Sequence, residues 1–100
     1  MASHSLEELL PKLRAAQPSL RERFGVSGLW VFGSYARGES GSDSDLDILV
    51  EFDKGGLTLF QFLEIEMELA DLLGVSVDLV QRKALRSDFR SEVLSEAIAV

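Results

Sequence analysis

Residues Gly33–Val50 read GSYARGESGSDSDLDILV, and they carry in order a glycine-serine turn, a polar loop and two aspartates separated by one residue. Just ahead, Leu29–Phe32 (LWVF) is an apolar run that fills a strand, and Gly33-Ser34 ends it in a turn that needs a small residue. Ser40–Ser44 (SGSDS) has loop composition, and Asp45–Phe52 (DLDILVEF) returns to strand-forming residues. Side chains alternate faces along a strand. Asp45 and Asp47 therefore project to one side, and Leu46, Ile48, Val50 and Phe52 to the other.

Two carboxylates on one face repel unless something positive lies between them, and a divalent cation resolves the conflict. Hard oxygen ligands on a rigid strand suit magnesium, which binds through one or two carboxylates plus substrate phosphates. The glycine turn upstream lets a phosphate approach the backbone, with the Ser34 hydroxyl and nearby N–H groups as donors.

Three other readings compete for this stretch. Asp43–Asp47 imitates the start of an EF-hand loop, but Ile48 stands where that loop needs glycine and Lys54 where it needs glutamate. Gly33–Ser40 imitates a P-loop, yet Glu39 takes the place of the phosphate-binding lysine. A purely solvated turn explains Asp43 but not Asp47, an acid inside an otherwise apolar strand.

Downstream, Lys54-Gly55-Gly56 breaks the pattern. Thr58–Leu73 then has helical spacing through Leu59, Phe62, Leu63, Met67, Leu69, Ala70 and Leu73, with Gly74 as C-cap. Glu64, Glu66 and Glu68 read as a solvated face of that helix. Val75–Val80 (VSVDLV) reads as a strand with Val75, Val77 and Leu79 on one face and Ser76 and Asp78 on the other. Strand, crossover helix and strand favour a parallel pair, which sets Asp78 beside the Asp45/Asp47 strand as a third carboxylate. Leu85–Ile98 reads as a final helix. Arg82 and Lys83, which follow the third strand, read as solvated cations.

Upstream, Ser5 and Glu8 fit a capping box, and Leu6, Leu9, Leu10 and Leu13 make an amphipathic face. Pro11 and Pro18 predict a kink or a break in this first helix. His4, the only histidine, sits at the terminus and reads as non-catalytic. Trp30 and Tyr35 read as packing residues.

The spacing Gly33-Ser34, residues 35 to 44, then Asp45-x-Asp47 resembles the signature of the DNA polymerase beta-like nucleotidyltransferase superfamily. GSYARG, SDLDILVEF and the later VDLV at Val77–Val80 are similar to its minimal nucleotidyltransferases, the MNT family, from about Leu29 to the C-terminus. The resemblance implies an α/β (α+β) fold: a small mixed β-sheet with helices packed on one side, a polymerase-beta-like palm. It also implies transfer of AMP from ATP to a hydroxyl with loss of pyrophosphate. Asp45, Asp47 and Asp78 would hold two magnesium ions, and Gly33 and Ser34 would anchor the triphosphate. Arg37 would contact the triphosphate by its place in the motif, or else pair with Glu39 or Asp43 at the surface.

The chain has 100 residues, enough for one domain, residues 1–100, with one core. Ten Lys and Arg against 17 Asp and Glu make a net charge of −7, which argues against nucleic acid as a partner. There is no cysteine, hence no disulfide or thiolate-zinc site. No apolar run approaches the roughly 20 residues of a membrane span, and no secretory signal is visible, so a cytoplasmic protein is expected. So short a palm leaves little chain for an acceptor pocket, and the acceptor is expected on another molecule, in a hetero- or homo-oligomer. MNT proteins pair as antitoxins with HEPN-domain RNase toxins, and some add AMP to a toxin tyrosine. The resemblance therefore implies a HEPN toxin as partner. The alternatives are an antitoxin that acts by contact alone and a small-molecule nucleotidyltransferase, which normally carries a further acceptor-binding domain.

Overall fold

The computed structural model describes residues 5–41, 44–53 and 57–100. The chain opens with helix α1 (Leu6–Phe24) and strand β1 (Val26–Phe32), followed by the short helix α2 (Gly33–Arg37) and strand β2 (Leu46–Phe52). Helix α3 (Leu59–Leu73) leads to strand β3 (Val77–Gln81), a 3-10 turn at Arg82–Ala84, helix α4 (Ser87–Glu96) and strand β4 (Ile98–Ala99). Among the described residues the strands form one mixed sheet in the order β3-β2-β1-β4. β1 runs antiparallel to β2 and β4, and β2 runs parallel to β3 through the α3 crossover.

α1 and α3 cover one face of this sheet. Leu9, Leu13 and Leu20 from α1 and Ile65, Leu69 and Leu73 from α3 meet Leu29, Val31, Leu46, Ile48, Val50 and Leu79 in a single apolar cluster. Each such side chain contributes about 1.5–3 kcal/mol when fully buried. Leu49 is buried too, but it lies on the reverse face and pairs with Trp30 in the ladder. The alternation read from DLDILVEF is thus realised: apolar residues of β2 enter the core, and Asp47 faces away from it.

Both long helices begin in capping boxes, Ser5 with Glu8 and Thr58 with Gln61, and end on left-handed glycines, Gly25 and Gly74. Arg23 and Glu68 form a two-pronged ion pair between them. The expected break in α1 does not occur: Pro11 and Pro18 both lie inside one continuous helix. Their side chains are exposed and sit opposite the buried Leu9–Leu13–Leu20 stripe. The carbonyls of Glu7 and Arg14, which lose their helical donors, therefore lie toward water and need no protein partner.

Two further readings are corrected, the length of the final helix and the role of Glu66, and the structure adds which face of α3 is buried. The final helix is shorter than expected, because Ile98 and Ala99 leave it to pair with Val31 and Trp30 at the sheet edge. In α3 the face that enters the core is Ile65–Leu69–Leu73, whereas Leu59, Leu63 and Met67 are exposed. Glu66 is not merely solvated: its Oε2 accepts from the Leu79 backbone N–H at 3.0 Å and occupies a donor of the edge strand β3. The break at Lys54-Gly55-Gly56, the loop residue Asp43 and His4 lie outside the described residues.

Candidate active site

Two ladders place the acidic face. The parallel β2–β3 register sets Asp47 directly beside Asp78, so their side chains share a face, and Asp45 precedes β2 on that same alternation. The antiparallel β1–β2 register sets Phe32 beside Asp47, which brings the end of β1 and the following Gly33 to the carboxylate.

At Gly33 the chain turns with φ +73, a left-handed conformation, and a methyl group there would lie 2.1 Å from Oδ2 of Asp47. Only glycine lets the backbone approach the carboxylate this closely. Where a simple turn was expected, Gly33–Arg37 forms one helical turn, anchored by the buried Tyr35 and ended by Gly38. The glycine-serine segment and the acidic pair are thus in direct contact.

Electrostatics at this point are strained. Asp47 is pushed up from 3.8 to about 6, first by burial and then by the negative charges of Asp78 and Asp45, against a smaller opposing pull from Arg37. A bound cation would favour the ionised carboxylates and so oppose all three effects. The donors are carboxylate oxygens alone, a set that fits magnesium in kind. Among the described residues no three acidic or imidazole groups are drawn together tightly enough to cage a metal as they stand.

Arg37 reaches the site edge. Its Nε donates to Glu39 Oε1 at 2.9 Å, and its Nη1 donates to Glu96 Oε1 at 3.2 Å. The backbone N–H of Gly33 donates to that same Glu96 oxygen, also at 3.2 Å. Glu96 was not singled out from the sequence, because it belongs to no motif and meets Gly33 and Arg37 only in the folded chain, at the end of α4 just before the β4 strand that pairs with β1. The apolar tail Ile98-Ala99-Val100 directly after it was the one available signal for that strand.

The cations after β3 are structural at Arg82, which donates to Glu51 Oε2 at 3.2 Å and stacks 5.0 Å over the Trp30 ring. Arg82 and Lys83 line a cavity of about 470 Å³ with Glu51, Gln81 and Arg90, at the end of β2 and β3 away from Asp47 and Asp78. Neither Asp47 nor Asp78 lines it.

Comparison with known proteins identifies the family and the fold. The nucleotidyltransferase domain family matches residues 13–100. The protein adenylyltransferase MntA of Thermococcus cleftensis is 48% identical over 100 residues, covering 100% of both chains. A solved candidate minimal nucleotidyltransferase is similar with TM-score 0.80 at 43% identity, over 100% of both chains. A toxin-antitoxin structure with AMP-PNP is similar with TM-score 0.73 at 26% identity, over 89% of this chain and 69% of that one. A tri-AMPylated HEPN toxin from Shewanella oneidensis in complex with its MNT antitoxin shares the fold, with TM-score 0.66 at 22% identity over 91% of this chain and 70% of that one. By the extent of these matches, this chain belongs to the nucleotidyltransferase domain family and is a nucleotidyltransferase of its minimal, MNT type.

Proposed function

We propose that this chain transfers AMP from ATP to a tyrosine hydroxyl of a HEPN-type toxin and so acts as an antitoxin in the cytoplasm. The observation that carries the chemistry is the register of Asp47 beside Asp78, with the Gly33 backbone packed against Asp47. The whole-length match to a protein adenylyltransferase supports a protein acceptor, and the AMP-PNP complex of a similar antitoxin supports ATP. The AMPylated HEPN toxin bound to a chain of the same fold points to the partner class.

In this reading the Gly33 N–H, the Ser34 hydroxyl and the Arg37 guanidinium bind the β and γ phosphates. Asp45, Asp47 and Asp78 would hold two magnesium ions, which when bound would neutralise the triphosphate and polarise the acceptor oxygen. Asp78, the more exposed of the paired acids, takes the proton of the incoming hydroxyl. The acceptor oxygen forms a bond to the α-phosphorus, the bond from that phosphorus to the bridging oxygen breaks, and pyrophosphate leaves. The protein makes no covalent bond to phosphate, so its contribution is positioning and charge.

The deciding experiment incubates the purified chain with α-labelled ATP, magnesium and either a HEPN-type toxin or mixed RNA. Label on the protein is expected, with none from Asp47→Asn or Asp78→Asn. Label on RNA alone would overturn the acceptor, and toxin neutralisation without label would favour the contact-only antitoxin.

A further inference from the structure

Helix α3 has two apolar faces, and the core uses only one. Ile65, Leu69 and Leu73 turn toward the sheet and are at most 1% exposed. At 3.6 residues per turn, Leu59, Phe60, Leu63 and Met67 project to the other side. They are 70%, 85%, 42% and 66% exposed. Singly exposed apolar residues are ordinary, but these four follow one another along a single helix and form a continuous stripe. Helix formation does not require them, since Glu, Gln or Lys at those positions would serve the helix as well.

The stripe has an acidic edge. Phe60, Leu63 and Met67 line a shallow groove of about 530 Å³ together with Glu64, Glu68 and Asp71. Glu68 is occupied by Arg23, while Glu64 and Asp71 form no ion pair among the described residues. This charge pattern selects the occupant. A second copy, packed antiparallel about a two-fold axis, would set its own Glu64 and Asp71 against these and add another net charge of −7. A helix with an apolar i, i+3, i+7 face and Lys or Arg beside it fits both the groove and its rim.

We infer that the outer face of α3 is a docking surface for a basic amphipathic helix of another protein. The stripe points away from the core, whereas Asp47 and Asp78 face outward on the reverse side of the sheet. A helix docked on α3 therefore leaves the carboxylates open, and it anchors a partner instead of plugging the site. The inference does not depend on AMP transfer, and its test uses no nucleotide.

Two labelled synthetic helical peptides with the same leucine and methionine stripe, one flanked by Lys and Arg and the other by Glu, are titrated with the full chain by fluorescence anisotropy. The basic peptide is expected to bind, more weakly as salt is raised, and the acidic one not to bind. Leu63→Asp and Met67→Asp should each weaken binding at least about tenfold, a change of about 1.4 kcal/mol. The double charge reversal Glu64→Lys with Asp71→Lys keeps the apolar stripe and should transfer preference to the acidic peptide, with circular dichroism unchanged. Equal binding of the two peptides, binding of neither, or full binding by Met67→Asp would overturn the proposal. So would a dimer of the free chain in sedimentation equilibrium that Met67→Asp dissociates.

Discussion

Oε1 of Glu96 accepts hydrogen bonds from the backbone N–H of Gly33 and from Nη1 of Arg37, each at 3.2 Å. A turn N–H and a guanidinium are what an anion seeks, and here the anion is the chain's own side chain at the end of α4. Two of the three donors that the proposed function assigns to triphosphate are thus already bridged by a carboxylate.

Glu96→Gln should therefore bind nucleotide more tightly. The substitution keeps the side-chain shape but removes the competing charge, and since Arg37 is largely exposed the gain should be modest, roughly three- to tenfold in Kd. Calorimetric titration with AMP-PNP and magnesium measures it. An unchanged or higher Kd in the variant would mean that Glu96 does not occupy the phosphate position.

Gly33→Ala should damage activity beyond its effect on stability. The left-handed φ of +73 costs an L-residue about 1–2 kcal/mol, and the added Cβ must also displace a carboxylate 2.1 Å away. A shift of that size at a reacting centre costs on the order of 10²-fold in rate. Gly25→Ala is the control, because Gly25 has φ +74 but nothing within 4 Å of its added Cβ. The expected pattern is similar destabilisation in both variants by thermal melting and loss of nucleotide transfer only at Gly33. Equal activity of the two variants would separate Gly33 from the chemistry.

Much of this site was legible because it rests on local rules. The alternation of Asp45 and Asp47, the apolar inner face of β2 and the parallel pairing of β3 all follow from period-two strands and a crossover helix. What stayed hidden depended on distance or on choice. Glu96 reaches Gly33 across 63 positions of sequence. In α3 both faces are apolar, so periodicity finds the helix but not which stripe is buried. In α1 a local rule misled, because whether proline breaks a helix depends on whether the orphaned carbonyl is buried, and that is a tertiary fact.

The prolines of α1 can be tested directly. Pro18→Ala restores an N–H that can bond the Arg14 carbonyl and removes the ring from the helix interior, a gain set against the more flexible unfolded chain. A net stabilisation of about 1 kcal/mol is expected, seen as a rise of roughly 4–8 °C in Tm for a domain of this size. A lowered Tm would show that the proline is accommodated better than the alanine.

Asp47 links pH, metal and stability. Its carboxyl is raised in the folded chain from 3.8 to about 6, so the folded state holds the proton more firmly than the unfolded one. The stability this contributes is complete below about pH 3.8 and is lost as pH rises through about 6. Above that, the metal-free protein carries an ionised carboxylate in a half-buried site beside Asp78 and Asp45. Asp47→Asn removes that charge. Relative to the parent, the variant should gain stability between pH 4 and pH 7, by about 1 kcal/mol once the shift is discounted for the solvent that reaches this group. Millimolar magnesium at pH 8 should raise the Tm of the parent, because a ligand that binds only the folded state stabilises it by mass action, and should leave the variant nearly unmoved. Melting curves of both proteins at pH 4, 6 and 8, with and without magnesium, make the comparison. A stability difference that does not change with pH would remove Asp47 as the strained group, and equal magnesium shifts in the two proteins would place the cation elsewhere.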